Sequence, residues 1–149
     1  MSNLLNTPFE TGLRTLMLLY GIKPSSANLD KIAFFDFFTI YGKMFEVSDK
    51  NLHGKSNFAL SEYSAKKKLV EIGIKDFILR GFIEIEISKK GFEYYINNEG
   101  IKYIDSIESD YKKQYIKTLE VVKSKYDDYS EIKLMRLIHE KAKESLRCL

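Results

Sequence analysis

Tryptophan is absent from this 149-residue sequence, proline occurs twice, histidine twice and cysteine once. Each scarcity excludes something. The single Cys148 stands beside the C-terminus. It leaves no intrachain disulfide and no zinc site built from thiols alone, and it fits a reducing cytoplasm. Two prolines leave little room for long irregular segments. Enzyme signatures are missing as well: there is no Gly-rich phosphate loop, no Gly-x-Ser-x-Gly, no His-Glu-x-x-His and no cysteine pair. Carboxylates are numerous but scattered among lysines on helix faces, where solvated ion pairs are the default. Nothing sets a nucleophile beside a base, so the residues imply neither an enzyme nor a cofactor. His53, in a loop, reads as a hydrogen-bonding surface group before it reads as a base or ligand. Long apolar runs are also lacking. Asp36 interrupts the longest aromatic run, so no membrane span is expected. The apolar run at 16–20 follows Glu10 and Arg14 and lacks a small-residue cleavage site, so no signal peptide is expected.

Charge of one sign is scarce too. The net charge is +3, and residues 1–60, 61–97 and 98–149 carry 6, 7 and 11 Lys/Arg against 5, 6 and 10 Asp/Glu, which is +1 for each. A dedicated nucleic-acid-binding domain concentrates positive charge on one element to neutralise phosphates, and none does so here.

What the chain does have is 20 Phe and Tyr within an apolar share of 44%, enough for one self-sufficient core. The organising stretch runs from Ser61 to Ile96. Residues 62–80 carry Ala65, Leu69 and Ile72 at helical spacing, widened by Val70, Ile74 and Phe77. Gly81 is expected to stop this helix in a left-handed conformation. The alternation from Phe82 to Ile87 marks a strand, Ser88-Lys89-Lys90-Gly91 a turn, and Phe92 to Ile96 the return strand. A long helix feeding a β-hairpin predicts an α+β, mostly α, winged-helix-like domain over residues 1–108. A C-terminal helical hairpin over 109–149 is expected to pack on it as one compact unit.

Upstream, Thr7-Pro8-Phe9-Glu10 is a capping box with proline at the first helical position, and Gly21 is expected to close that helix. Asn28 caps a second helix to about Tyr41, apolar nearly all round with Phe34, Phe35, Phe37 and Phe38. Such a helix is either buried centrally or shares one side with another chain, a homodimer included. A long irregular stretch, 42–60, contains His53. Asn97 or Asn98 is set to cap a short helix, another follows from about Ser109, and Ser130 is set to cap the last, which places Met135, Ile138, Ala142 and Leu146 in line. The last two helices can pack on the domain or serve as a docking platform for a partner helix.

A winged helix invites a DNA reading, with Ser64, Lys67, Lys68 and Lys75 on the outer side of the long helix and Lys89 and Lys90 at the wing tip. Glu71 stands between Lys68 and Lys75, Glu84 and Glu86 populate the wing, and no Arg, Asn or Gln sits mid-helix to read base edges. Any DNA contact is therefore expected to be weak and sequence-indifferent.

The order of segments resembles a family. Asn6-Thr7-Pro8-Phe9 with Gly12-Leu13-Arg14, Leu29-Asp30-Lys31-Ile32 with Asp36-Phe37, and Asn51-Leu52-His53 look like its successive blocks. Glu62-Tyr63 through Lys66-Lys67-Lys68-Leu69, Gly73, Leu79-Arg80-Gly81-Phe82 and Gly91-Phe92-Glu93-Tyr94 continue the series. Together they resemble the middle component of bacterial ABC-type three-component systems, the Lamassu-like anti-phage defence group. After His53 the family's proline-containing motif is replaced by Gly54-Lys55-Ser56-Asn57. The resemblance implies a small non-catalytic adaptor in an anti-phage or anti-plasmid complex. It would sit between an SMC-like ABC ATPase and an effector, often a nuclease, with ATP and magnesium belonging to the partner. On that reading Phe34, Phe35 and Phe38, the loop around His53, and Met135 and Ile138 of the last helix are the expected partner contacts. The rival is a winged-helix DNA-binding regulator using Lys67, Lys68, Lys75, Lys89 and Lys90.

Overall fold

The computed structural model describes residues 7–54 and 59–147. The readings made on residues 1–6, on 55–57 and on Cys148 lie outside the described residues. Helix α1 (Pro8–Ile22) begins as the capping box predicts, with the Glu10 amide donating to Thr7 Oγ1 at 3.1 Å. Helix α2 (Leu29–Ile40) is capped by Asn28, whose Oδ1 accepts from the Lys31 amide at 2.9 Å. Helix α3 (Ala59–Leu79) is the longest and leads into the antiparallel pair β1 (Ile83–Ser88) and β2 (Gly91–Ile96). Gly81 and Gly91 have φ of +85° and +108°, the left-handed conformations at which a side chain would be strained. Helices α4 (Asn98–Asp105), α5 (Asp110–Tyr126) and α6 (Glu131–Arg147) follow, started by Asn97, Ser109 and Ser130 as the sequence predicts. The architecture is the expected mostly α, α+β arrangement.

The core is built where α1, α2 and α3 meet, with α5 laid across α1 and α2, and α6 across α3 and α2. The main packing of α5 and α6 is thus on the helical frame. Helices α1 and α3 touch backbone to backbone. A Cβ on Gly73 would stand 2.7 Å from the Gly12 nitrogen, closer than any side chain tolerates.

Two expectations need correcting. Gly21 does not close α1, which runs on to Ile22. Its missing side chain admits Leu119 of α5, which a Cβ there would meet at 2.6 Å. The apolar stripe of α3 is also rotated from the one read off the sequence. Tyr63, Lys66, Val70, Gly73, Ile74 and Phe77 face inward, while Ala65 and Ile72 are exposed. Periodicity counts apolar residues and treats lysine as outward; here Lys66 is buried and a glycine marks the closest approach.

Candidate functional site

Helices α1, α2 and α5 each bring one polar side chain to a common point inside the molecule. Arg14 of α1 and Asp36 of α2 form a two-pronged ion pair, Nε to Oδ1 at 3.1 Å and Nη2 to Oδ2 at 3.2 Å. Their side chains are 3% and 1% exposed. Tyr115 of α5 donates its hydroxyl to Asp36 Oδ1 at 2.7 Å. A second pair lies alongside. The loop after α2 folds back so that the His53 amide donates to the Ile40 carbonyl, which sets His53 Nε2 2.7 Å from the Tyr111 hydroxyl. Asn51 fixes the same loop by accepting from the Lys43 and Met44 amides. Lys66 of α3 is buried near this centre, and Tyr41 donates to Glu62 Oε2 at 2.5 Å.

The electrostatics make this centre a fixed clasp. Burial alone would raise the Asp36 carboxyl, but the Arg14 guanidinium beside it, the hydrogen bonds from Arg14 and the Tyr115 hydroxyl together hold it below the usual carboxylate range. Burial pulls Arg14 down while Asp36 more than restores it, and the net shift is upward. Burial, then the Asp36 charge, push the Tyr115 hydroxyl well up; burial does the same for Tyr111. His53 goes the other way. Burial and then the Arg14 charge, with a smaller push from Lys66 and against the pull of Asp36, lower it to about 4. At neutral pH the ion pair is charged, both tyrosines are neutral, and His53 is an uncharged partner for Tyr111.

This gives a pH prediction. An imidazole depressed in the fold binds its proton first in the unfolded chain, near pH 6.5. Its contribution to stability is therefore full above about 6.5 and is lost as pH falls toward 4. The loss is expected to be of order 2 kcal/mol once its partial exposure is allowed for. Urea unfolding of the wild type and of His53→Gln across pH 7 to 4.5 checks it. The difference between the two curves should narrow over that window, and a constant difference would show that His53 does not titrate between the two states.

Four of the six side chains expected at partner contacts are buried within the fold. Phe34, Phe35 and Phe38 are 3%, 1% and 0% exposed, so of the two placements open to α2, central burial is the one observed. The surface expected of them is filled from within: Phe34 stacks on Tyr63 at 4.8 Å, and Phe38 packs on Phe45 at 4.3 Å and on Tyr126 at 5.1 Å. Ile138 is likewise in the core, whereas Met135 is half-buried. His53 is half-buried in the clasp and not a free surface group. Of the lysines, Lys67 is tied to Asp30, while Lys68, Lys75, Lys89 and Lys90 are exposed. Among the described residues no three His, Cys, Asp or Glu side chains gather as a metal site, and no helix is long and apolar enough to cross a membrane.

Exposed apolar side chains are found elsewhere. Ile85, Ile87 and Phe92 stand out on the hairpin, and Ile132 and Leu146 on α6. At about 100° per residue, Ile132, Met135, His139 and Leu146 fall on one stripe of α6, beside the one that buries Leu134 and Ile138. The hairpin was not read as a contact from the sequence, although the alternation of β1 carried the signal; on α6, Met135 was read as a contact, and Ile132 and Leu146 extend its stripe. Residues 4–148 match the family model of the ABC-three component (ABC-3C) system Middle Component 2. No curated protein and no solved structure matches the chain.

Proposed function

Because the chain belongs to the Middle Component 2 family of ABC-three component systems, we propose that it is the adaptor of such a system, joining an SMC-like ABC ATPase to an effector. The setting of that complex is bacterial defence against phage or plasmid DNA, in the cytoplasm, and the effector is of nuclease type. Membership in the family makes the chain one component among several. The observation that supports the two-sided role is that the β1–β2 hairpin and the outer stripe of α6, two separate elements, both expose apolar side chains, as α3 does at Ile72 and Leu79. Contiguous exposed apolar surface marks sites where another molecule docks, and a bridging subunit needs two of them. Ile87 and Ile132 are 81% and 69% exposed, so each can be altered without touching the core.

The test is affinity purification of the tagged chain co-expressed with the products of its neighbouring genes. A large coiled-coil ATPase and a second protein should be recovered at fixed ratio. Ile132→Asp should release one of them and leave the other, since a bridge has separable ends. A chain that comes away alone, or that loses both partners together with Ile132→Asp, would refute the bridging role.

A further inference from the structure

Strand β1 pairs only with β2, and its other edge is uncovered among the described residues. The corresponding edge of β2 is closed: Ala27 exchanges two backbone hydrogen bonds with Tyr94, at 3.0 and 2.8 Å. Those bonds also fix which groups of β1 are free. The N–H and C=O of Tyr94 face away from β1, so Ile85, opposite it, belongs to a non-hydrogen-bonded pair and turns its own N–H and C=O outward. The alternation does the same for Ile87, opposite Phe92.

The two faces of this hairpin have opposite character. On one, Ile83 and Ile96 are in the core, and the same face then runs off the body of the protein as Ile85, Ile87 and Phe92, all exposed. On the other stand Glu84, Glu86 and Glu93, with Glu86 directly across from Glu93. Like charges in register oppose pairing, and a folded hairpin has no use for them. Glu93 accepts from Ser26 at 2.6 Å and from Ser88 at 3.2 Å, and Glu84 accepts from Asn97 at 2.8 Å, so Glu86 is the acid whose partner is left to come from outside. Natural edge strands are guarded by proline or by charged side chains; between Ile83 and Ser88 the guards are Glu84 and Glu86 alone, which repel an acidic strand and not a basic one.

We propose that the outer edge of β1 receives an extended segment of a partner protein in which basic and apolar residues alternate, added as a third strand. The free N–H and C=O of Ile85 and Ile87 supply its ladder, Glu84 and Glu86 meet its basic side chains, and Ile85 and Ile87 meet the apolar ones. A second copy of this chain is the poorer occupant, because antiparallel pairing of two β1 strands would bring glutamates against glutamates. The inference stands on the hairpin and does not require the ATPase–effector arrangement.

The experiment uses the full chain, isotopically labelled, titrated with two soluble decapeptides that alternate valine with lysine or valine with glutamate. The lysine peptide should shift and protect the Ile85 and Ile87 amides, and the glutamate peptide should not. Glu86→Lys should weaken binding by about tenfold or more while leaving thermal stability unchanged or raised, since it replaces the Glu86–Glu93 repulsion with an opposite-charge pair. Ile87→Pro removes an outward N–H from an edge position that tolerates proline, and should abolish binding; Ile87→Val should not. Equal binding of both peptides, indifference to Ile87→Pro, or unmoved Ile85 and Ile87 amides at millimolar peptide would each overturn the proposal. Self-association through these amides would do so in favour of a second copy.

Discussion

Replacing Asp36 with alanine is expected to destabilise the protein by about 3–5 kcal/mol, read as the loss in unfolding free energy in urea at neutral pH. The change removes the carboxylate that both prongs of Arg14 address, at a site where the guanidinium is 3% exposed. Arginine cannot shed its proton at any ordinary pH, so the charge stays and remains desolvated. Tyr115 loses its acceptor in the same step, at an OH group in the middle of the core. Against a total stability of roughly 5–15 kcal/mol the loss is large. For a chain of this length it should lower the midpoint of thermal unfolding by about 10 °C or more.

The pair itself is a different matter from its breakage. Removing both charges, as in Arg14→Met with Asp36→Leu, is expected to recover most of what Asp36→Ala loses, because the desolvation of two ions is lifted along with their attraction. Such a result would say that the clasp specifies geometry more than it supplies stability. It ties α1, α2 and α5 through one carboxylate, and two aliphatic side chains would define that relation less sharply. A single-site cost under about 1 kcal/mol for Asp36→Ala would mean instead that water reaches Arg14.

What was legible in the sequence was local. Thr7, Asn28 and Ser130 serve as the caps they were read to be, and Asn97 as one of the two offered, since a cap depends on residues three positions away. Gly81 and the alternation of β1 and β2 fixed the stop and the hairpin for the same reason. The clasp was not legible. Arg14 and Asp36 are 22 residues apart and Tyr115 is 79 beyond Asp36; Asp36 read singly as an interruption of an aromatic run, and no local pattern joins it to the other two. Lys66 lay outside the apolar stripe read from the sequence, because lysine is seldom buried; its place inside depends on contacts between elements that no local pattern shows. The faces of α2 were undecidable because no part of that helix is polar enough to point to water. The aromatic residues set as contacts are core, while Ile85, Ile87 and Phe92 of the hairpin, where the strand pattern is regular and attracts no notice, are exposed.

Phe35→Asp separates these two accounts of α2 with the largest effect of all. Had Phe35 lain on a surface shared with a partner, the variant would fold normally and fail only in assembly. In the structure it is 1% exposed, between the Lys31 side chain and the Tyr126 and Leu134 side of the core. Losing the ring alone costs about 3–5 kcal/mol in such a site. A carboxylate put there must either stay charged without a partner or take up a proton, and both add to the loss. The sum reaches the whole stability of a domain this size, so the variant is expected to be unfolded at neutral pH by circular dichroism, with or without its partners. Ile132→Asp, on an exposed position of α6, should change unfolding free energy by no more than about 0.5 kcal/mol and serves as the control. A Phe35→Asp chain with native circular dichroism and a wild-type urea midpoint would contradict the burial and return the aromatic helix to the surface. If only the control survives, α2 is core and the search for partner contacts belongs on the hairpin and the outer stripe of α6.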